Sequence, residues 1–276
     1  MATARTDAAL DADWLDICRR AEAAARRSLE TFPLTADRAR TTGIGEGGDV
    51  ALVIDRAAED AILAELEATG LPLTAVSEER GEVALSGGGP VHVIVDPIDG
   101  SRNAKRGMPA YSVSIAVASG DRLGDVRFAF VRDCSLGEEW WAKAGEGVWK
   151  DGVPLTPLDP RAGLEMVGLE FIHPALVAEA AEGLAASGAS RLRAIGSVAL
   201  TLCYVASGRL DAMVALGACR SVDIAAGQLI VREAGGVLAY PDDGDDPMRS
   251  SLGLDWRSRV FAAAGPDGLA RLLAAG

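Results

Sequence analysis

The sequence predicts a layered α/β fold, and three observations carry that prediction. Short apolar runs of strand length alternate with helical patterns through the second half of the chain. In the first half, two amphipathic helical stretches precede a series of strand candidates. The composition, 49% hydrophobic and 24% charged over 276 residues, suits a chain that buries a large core without disulfide or metal staples.

The first helix is expected over 11–32, where Trp14, Ile17, Cys18, Ala21, Ala25 and Leu29 recur at helical spacing. A glycine-rich connection, 41–49, leads to a second helix at 57–66 with Ala58, Ile62 and Leu66 on one face. Strands are expected at 73–77, 91–95, 113–118, 125–131 and 139–143, with a turn at 150–154. The second half then reads strand 164–169, helix 175–186, strand 192–195, helix 198–207, strand 212–216, helix 224–233 and strand 237–240. A strand at 260–263 and a helix from Asp267 close it. No internal repeat appears. The length implies a single domain over 1–276, in two intimate lobes, 1–160 and 161–276.

Charge and composition exclude several classes. With 27 Lys+Arg against 40 Asp+Glu the net charge is −13, which repels a phosphate backbone, so no nucleic-acid partner is expected. A small anionic substrate would need local neutralisation. Residues 1–7 lack the basic-then-apolar pattern of a secretory signal. The longest charge-free stretches, such as 194–208, fall short of a membrane span, so no membrane partner is expected. Cys18, Cys134, Cys203 and Cys219 have no CxxC spacing and read as buried thiols of a cytoplasmic protein. With only His92 and His173, histidine-rich metal sites and most Ser-His-Asp schemes are excluded.

Three motifs are set aside. Gly43-Ile-Gly45-Glu-Gly-Gly48 matches GxGxxG, but residues 36–42 are too polar for the buried strand that a dinucleotide fingerprint must follow. A calcium loop starting at Asp96 would need Glu at its twelfth position, which is Gly107. The acidic run 242–246 reads as a solvated turn, and His92 as structural.

The chemistry resides in three segments that place carboxylates where the surrounding pattern does not ask for them. Ser77-Glu78-Glu79 and Asp96-Pro-Ile98-Asp99-Gly100-Ser101 each end an apolar strand. Arg220-Ser-Val-Asp223 opens a helix of small residues. Strand ends and helix starts of layered α/β folds converge on one crevice. Carboxylates gathered there repel one another unless a cation lies between them. An oxygen-only donor set suits Mg²⁺ or Mn²⁺ rather than zinc.

With these residues the sequence resembles the inositol monophosphatase / fructose-1,6-bisphosphatase superfamily, closest to its archaeal-type dual-specificity branch. The match rests on Asp96-Pro-Ile-Asp99-Gly100-Ser101 and Asp223-Ile-Ala-Ala-Gly, followed by Glu233-Ala-Gly-Gly-Val. Supporting matches are Ser77-Glu78-Glu79, Asp49, Asp55 with Glu59, the stretch from Cys203 and Leu210-Asp211-Ala212. The resemblance implies an α-β-α-β-α sandwich, hydrolysis of a phosphate monoester with two or three Mg²⁺ ions (Mn²⁺ as substitute), lithium sensitivity and a homodimer. By position, Glu78, Asp96, the Ile98 carbonyl, Asp99 and Asp223 would be metal ligands, most of them in the first lobe. Asp55 and Ser101, with Glu78, would form the catalytic set that activates water. The Gly100 and Ser101 amides, with Gly196 and Ser197, would meet the substrate. Three positions depart from the family: Ser101 replaces a frequent Thr, Leu52 replaces another, and 41–49 carries no basic residue.

Substrate expectations turn on charge. The position that in animal-type relatives offers an acid to inositol hydroxyls is Leu216. Arg191, Arg193 and Arg220 flank the expected site, and Arg193 and Arg220 are the candidate contacts for a second phosphate. The expected partner is a small phosphorylated sugar or polyol, inositol-1-phosphate or fructose-1,6-bisphosphate. The alternatives are 3′-phosphoadenosine 5′-phosphate, histidinol phosphate, or ligand binding without catalysis.

Overall fold

The computed structural model describes residues 8–160, 163–244 and 246–275. The expectation for 1–7, and Asp245 within the acidic run, lie outside the described residues. Helix α1 (Trp14–Glu30) starts behind Asp13, whose carboxylate accepts the Asp16 N–H, and it buries the stripe that its spacing predicts. A short turn of helix, Thr35–Arg38, precedes a hairpin of β1 (Thr41–Ile44) and β2 (Val50–Leu52). Helix α2 (Val53–Glu67) begins four residues before the expected start.

The eight-stranded sheet is ordered β10-β9-β8-β7-β6-β5-β3-β4. Its strands are β3 (Leu73–Ser77), β4 (Gly81–Leu85), β5 (Val91–Asp99), β6 (Ser112–Ala118), β7 (Val126–Asp133), β8 (Glu139–Lys143), β9 (Gly147–Lys150) and β10 (Val153–Pro154). The short helix α3 (Ser101–Arg106) joins β5 to β6. All pairings are antiparallel except β3 with β5. In the second half, β11 (Leu164–Glu170) leads through α4 (Pro174–Ala186) to β12 (Ala189–Ala194). Then follow α5 (Val198–Ala206), β13 (Ala212–Ala215), α6 (Ser221–Glu233), β14 (Val237–Ala239), β15 (Phe261–Ala263) and α7 (Pro266–Ala275). Its five strands are ordered β12-β11-β13-β15-β14.

Side-chain alternation assigns the layers. Val91, Val93 and Val95 of β5 pack with Ile115, Val117, Phe128 and Phe130 against α1 and α2. Between them, Ile94 packs with Ala116, Ala129 and Val131 against α5 and α6, in a core that includes Met213 and Ala262 of the second sheet. The far face of that sheet, Val167, Val214 and Phe261, meets Leu272 of α7 and Leu184 of α4. The result is the α-β-α-β-α sandwich. Helix α6 lies between two sheets, and its residues 221–231 are accordingly all buried.

Several details differ from the sequence expectation. The connection 41–49 forms a hairpin rather than a loop, so the GxGxxG string lies across β1 and its turn. Strand β5 continues through both acids to Asp99. The acidic run is not merely solvated: Asp242 pairs with Arg259, and Asp243 accepts from Ser250 Oγ and Trp256 Nε1. All four cysteines are free. Among the described residues no helix is long and apolar enough to cross a membrane.

Candidate active site

Parallel pairing of β3 with β5 sets Ser77 beside Val95, so Glu78, the first residue past β3, follows in step with Asp96, which is still within β5. Asp55 and Asp223 arrive differently. Each is the third residue of a helix and reaches back to an amide at the helix start: Asp55 Oδ2 accepts the Leu52 N–H at 3.3 Å, Asp223 Oδ2 the Arg220 N–H at 2.6 Å. A carboxylate there compensates the positive end of the helix dipole. Leu52 has no side-chain oxygen to complete the reciprocal bond, which is the structural result of its replacing Thr.

Between Asp96 and Asp99 the register with β6 slips, and the Ile98 N–H donates to Asp96 Oδ1 at 3.1 Å. Gly100 then turns the chain into α3 with φ of 92°; a Cβ there would lie 2.9 Å from the carbonyl oxygens of Ala110 and Gly196. Only glycine satisfies both conditions. Asp99 is bound to the second lobe: its carboxylate accepts from Ser197 Oγ (2.5 Å) and from the Val198 and Ala199 amides (3.2 and 2.7 Å). Asn103 Nδ2 adds bonds to the carbonyls of Ala110 and Ile195. Buried Glu170, at the end of β11, accepts the Gly196 N–H and the Thr201 hydroxyl (2.6 Å). The Gly196–Ser197 turn is thereby clamped beside Gly100.

The guanidinium of Arg220 stands among the acids. Its Nη1 lies 2.5 Å from Glu78 Oε1 and 3.3 Å from Asp49 Oδ2, and its Nη2 lies 3.1 Å from Asp223 Oδ1. Gly47 leaves it room, since a Cβ there would come within 3.0 Å of Nη1. The hairpin tip docks above through Gly47 N–H to the Glu78 carbonyl, and Arg257 Nη2 donates to the Gly47 carbonyl. Burial works against the charged guanidinium, but Asp223, Glu78 and Asp96 outweigh it and raise its pKa. Burial raises Asp96 well above the usual carboxylate range, with Glu78, Asp99 and Asp223 adding to the shift. Burial likewise lifts Asp55, helped by Glu78 and Glu79, and leaves its Oδ1 without a partner.

This arrangement demands positive charge. Among the described residues no three His, Cys or acidic side chains are already closed to metal-holding spacing; Arg220 stands between Glu78 and Asp223. The donor chemistry nevertheless fits a hard divalent cation. Its side-chain donors are carboxylates, Asp55 Oδ1 is a buried orphan, and the nearby Cys219 is a buried thiol whose pKa burial raises.

Residues 16–275 match the model of the inositol monophosphatase family. The chain belongs to the inositol monophosphatase family. A fructose-1,6-bisphosphatase/inositol-1-monophosphatase of Methanothermobacter thermautotrophicus is 33% identical over 266 residues, covering 91% of each chain. A Nus factor SuhB of Haemophilus influenzae is 35% identical over 214 residues, 75% of this chain and 78% of the relative. Among solved structures, the Thermotoga maritima IMPase superposes with a TM-score of 0.76 at 25% identity, covering 96% of this chain and 98% of that one.

Of the residues expected to act in this family fold, Glu78, Asp96, Asp99 and Asp223 form one electrostatic cluster, with Asp55 at its margin. Ile98 is buried behind Asp96, and Gly100 meets Gly196 across the turn. Ser101 is half-buried and shares no hydrogen bond with Asp55. The second-phosphate expectation fares differently. Arg193 and Arg191 lie exposed on edge strand β12, each donating to the carbonyl of its preceding residue and forming no ion pair with the cluster. Arg220 is at the site but engaged by three carboxylates. Leu216 lines a cavity of ≈ 480 Å³ with Leu184, Val214 and Phe261, whose wall also carries Glu179 and Arg259. The sequence reading omitted Glu170, whose only signal is an acid closing an apolar strand. It also gave no role to Glu79, which is buried against Gly45 with Oε2 unpartnered.

Proposed function

We propose that this chain is a Mg²⁺-dependent phosphomonoesterase that hydrolyses a small phosphorylated sugar or polyol, inositol-1-phosphate or fructose-1,6-bisphosphate. The observation that carries the reading is the gathering of Glu78, Asp96, Asp99 and Asp223 into one electrostatic cluster, in which Glu78 and Asp223 share the Arg220 guanidinium. The relatives' names and the family support a phosphatase of this type.

Glu78, Asp96, Asp99, Asp223 and the Ile98 carbonyl would hold two or three Mg²⁺ ions, with Mn²⁺ as substitute. Bound there, divalent cations supply Lewis acidity that neutralises phosphate charge and acidifies water. Asp55, elevated in pKa and open at Oδ1, takes the proton of the attacking water, and the Ser101 hydroxyl orients that water. The amides of Gly100 and Ser101 hold phosphate oxygens, and Gly196 and Ser197 border the alcohol portion. The water oxygen bonds to phosphorus as the ester oxygen departs with the alcohol.

The test is hydrolysis of p-nitrophenyl phosphate, inositol-1-phosphate and fructose-1,6-bisphosphate with MgCl₂ and with EDTA. Turnover that needs the metal supports the reading, and 3′-phosphoadenosine 5′-phosphate and histidinol phosphate complete the panel. Absence of turnover on every ester with Mg²⁺ present refutes it in favour of a binding role.

A further inference from the structure

The start of α5 is held by two acids that belong to other elements. Ser197 caps the helix: its Oγ accepts the Leu200 N–H at 3.3 Å and donates to Asp99. Asp99, at the end of β5, also takes the Val198 and Ala199 amides, two of the donors that a helix leaves open at its start. Glu170, at the end of β11, takes the Gly196 amide just ahead of the cap and the Thr201 hydroxyl one turn into the helix. Where α5 begins therefore decides how Asp99 is held, and Glu170 decides where α5 begins.

Glu170 and its partners are themselves fixed. The Glu170 carbonyl accepts the Leu216 N–H at 2.9 Å, which ties it to the end of β13. A Cβ on Gly168 would come within 2.5 Å of Thr201 Cγ2, so the Thr201 methyl lies against the β11 backbone while its hydroxyl donates to Glu170. From the other side Asn103 closes on the turn, since a Cβ on Gly196 would lie 2.8 Å from its Nδ2. Among the described residues Glu170 forms no ion pair; its side chain is met by the Thr201 hydroxyl and the Gly196 and Ile195 amides. A carboxylate buried without a cation is a destabilising way to join two elements that apolar side chains could join by packing alone. What it adds is direction, because a hydrogen bond fixes the orientation of a peptide unit that packing would leave free.

We propose that Glu170 is a positioning residue for the reaction: through Gly196 and Thr201 it sets the start of α5, and that start keeps the Asp99 carboxylate aimed for cation binding. Glu170 acts through these groups and needs no contact of its own with cation or ester. The proposal rests on the phosphomonoesterase reading, which makes Asp99 a metal ligand.

The test titrates the full-length wild type, Glu170→Gln, Thr201→Val and Thr201→Ser calorimetrically with MnCl₂, melting curves confirming that each is folded. Glu170→Gln puts an amide donor where only acceptors are called for. Thr201→Val keeps the shape and loses the hydroxyl, whereas Thr201→Ser keeps the hydroxyl and loses the methyl. Glu170→Gln should weaken Mn²⁺ binding about tenfold, the lower end of the range for residues that orient metal ligands. Thr201→Val should weaken it in the same direction, and Thr201→Ser should match wild type. Wild-type affinity in either Glu170→Gln or Thr201→Val overturns the inference. So does a loss in Thr201→Ser equal to that in Thr201→Val, which would assign the effect to packing. Should Glu170→Gln fail to fold, the two Thr201 variants decide alone. If wild type binds Mn²⁺ but hydrolyses no ester, the proposed function fails and the titrations still decide this inference; a wild type that binds no Mn²⁺ overturns both.

Discussion

Replacing Arg220 with glutamine removes the cation that the acidic cluster holds for itself. Two of its partners are sequestered, with side-chain exposures of 16% for Glu78 and 4% for Asp223, whereas Asp49 is 78% exposed. The exposed contact contributes little, so the buried pair decides the outcome. Removing one partner of a buried ion pair costs about 3–5 kcal/mol. Proton uptake by the remaining acids limits the cost to that scale. At roughly 2.1 cal/mol/K of unfolding entropy per residue over 276 residues, Tm should fall by about 5–9 °C in EDTA. The assay is thermal melting by circular dichroism, with EDTA and with MgCl₂. A divalent cation can take over the neutralising role, so Mg²⁺ should raise Tm more in the variant than in wild type. Arg220→Lys, which keeps the charge but loses the planar fork, should fall between the two. An unchanged Tm in EDTA, or a Mg²⁺-induced rise no larger than wild type's, would refute the reasoning.

Asp96→Asn should keep the fold, judged by circular dichroism, yet lose ~10²-fold or more in kcat, as expected for one preorganised transition-state contact; wild-type turnover would contradict its assigned role. Ser101→Ala should lower kcat while leaving KM nearly unchanged, because orienting water matters mainly in the transition state. A rise in KM alone would assign the hydroxyl to ground-state phosphate binding. Burial, then Glu78 and Glu59, push Glu79 up to about 7, against Arg56 and Arg220. In the folded metal-free protein it therefore binds a proton that the unfolded chain has released, so stability falls as pH rises from about 4.5 towards 7. Glu79→Gln should flatten that segment of a Tm-against-pH curve, and an unaltered slope would assign the pH dependence to other groups.

Much of this fold was legible because one-sided burial leaves a period in the sequence. The α1 stripe from Trp14 to Leu29 appears as spaced. Helix α6 was harder to delimit: a helix buried on all sides carries no period, and its start is fixed by the Asp223 cap. Strand β4 escaped notice as a short edge strand whose Glu82 and Ala84 face solvent between buried Gly81 and Leu85. At the site, acids ending apolar strands were conspicuous, which made Glu78, Asp96 and Asp99 readable. Glu170 carries the same signal but falls one residue beyond the expected end of its strand. The engagement of Arg220 was not readable, because Glu78 and Asp49 lie 142 and 171 residues away in the chain.

The core that α5 and α6 share with both sheets has a practical corollary for fragments of this protein. Trp140 and Ile94 on one side, and Met213 and Ala262 on the other, close over the same two helices. Neither half can shield its apolar face without the other. A protease cut in the connection between Pro154 and Leu164 should therefore release nothing: the nicked pieces should co-purify, because about 25 cal/mol per Å² of apolar contact surface would have to be exposed to part them. By the same logic the two halves cannot be exchanged between proteins as separate modules, since Asp99 in one and Ser197 in the other complete a single interlocking seam.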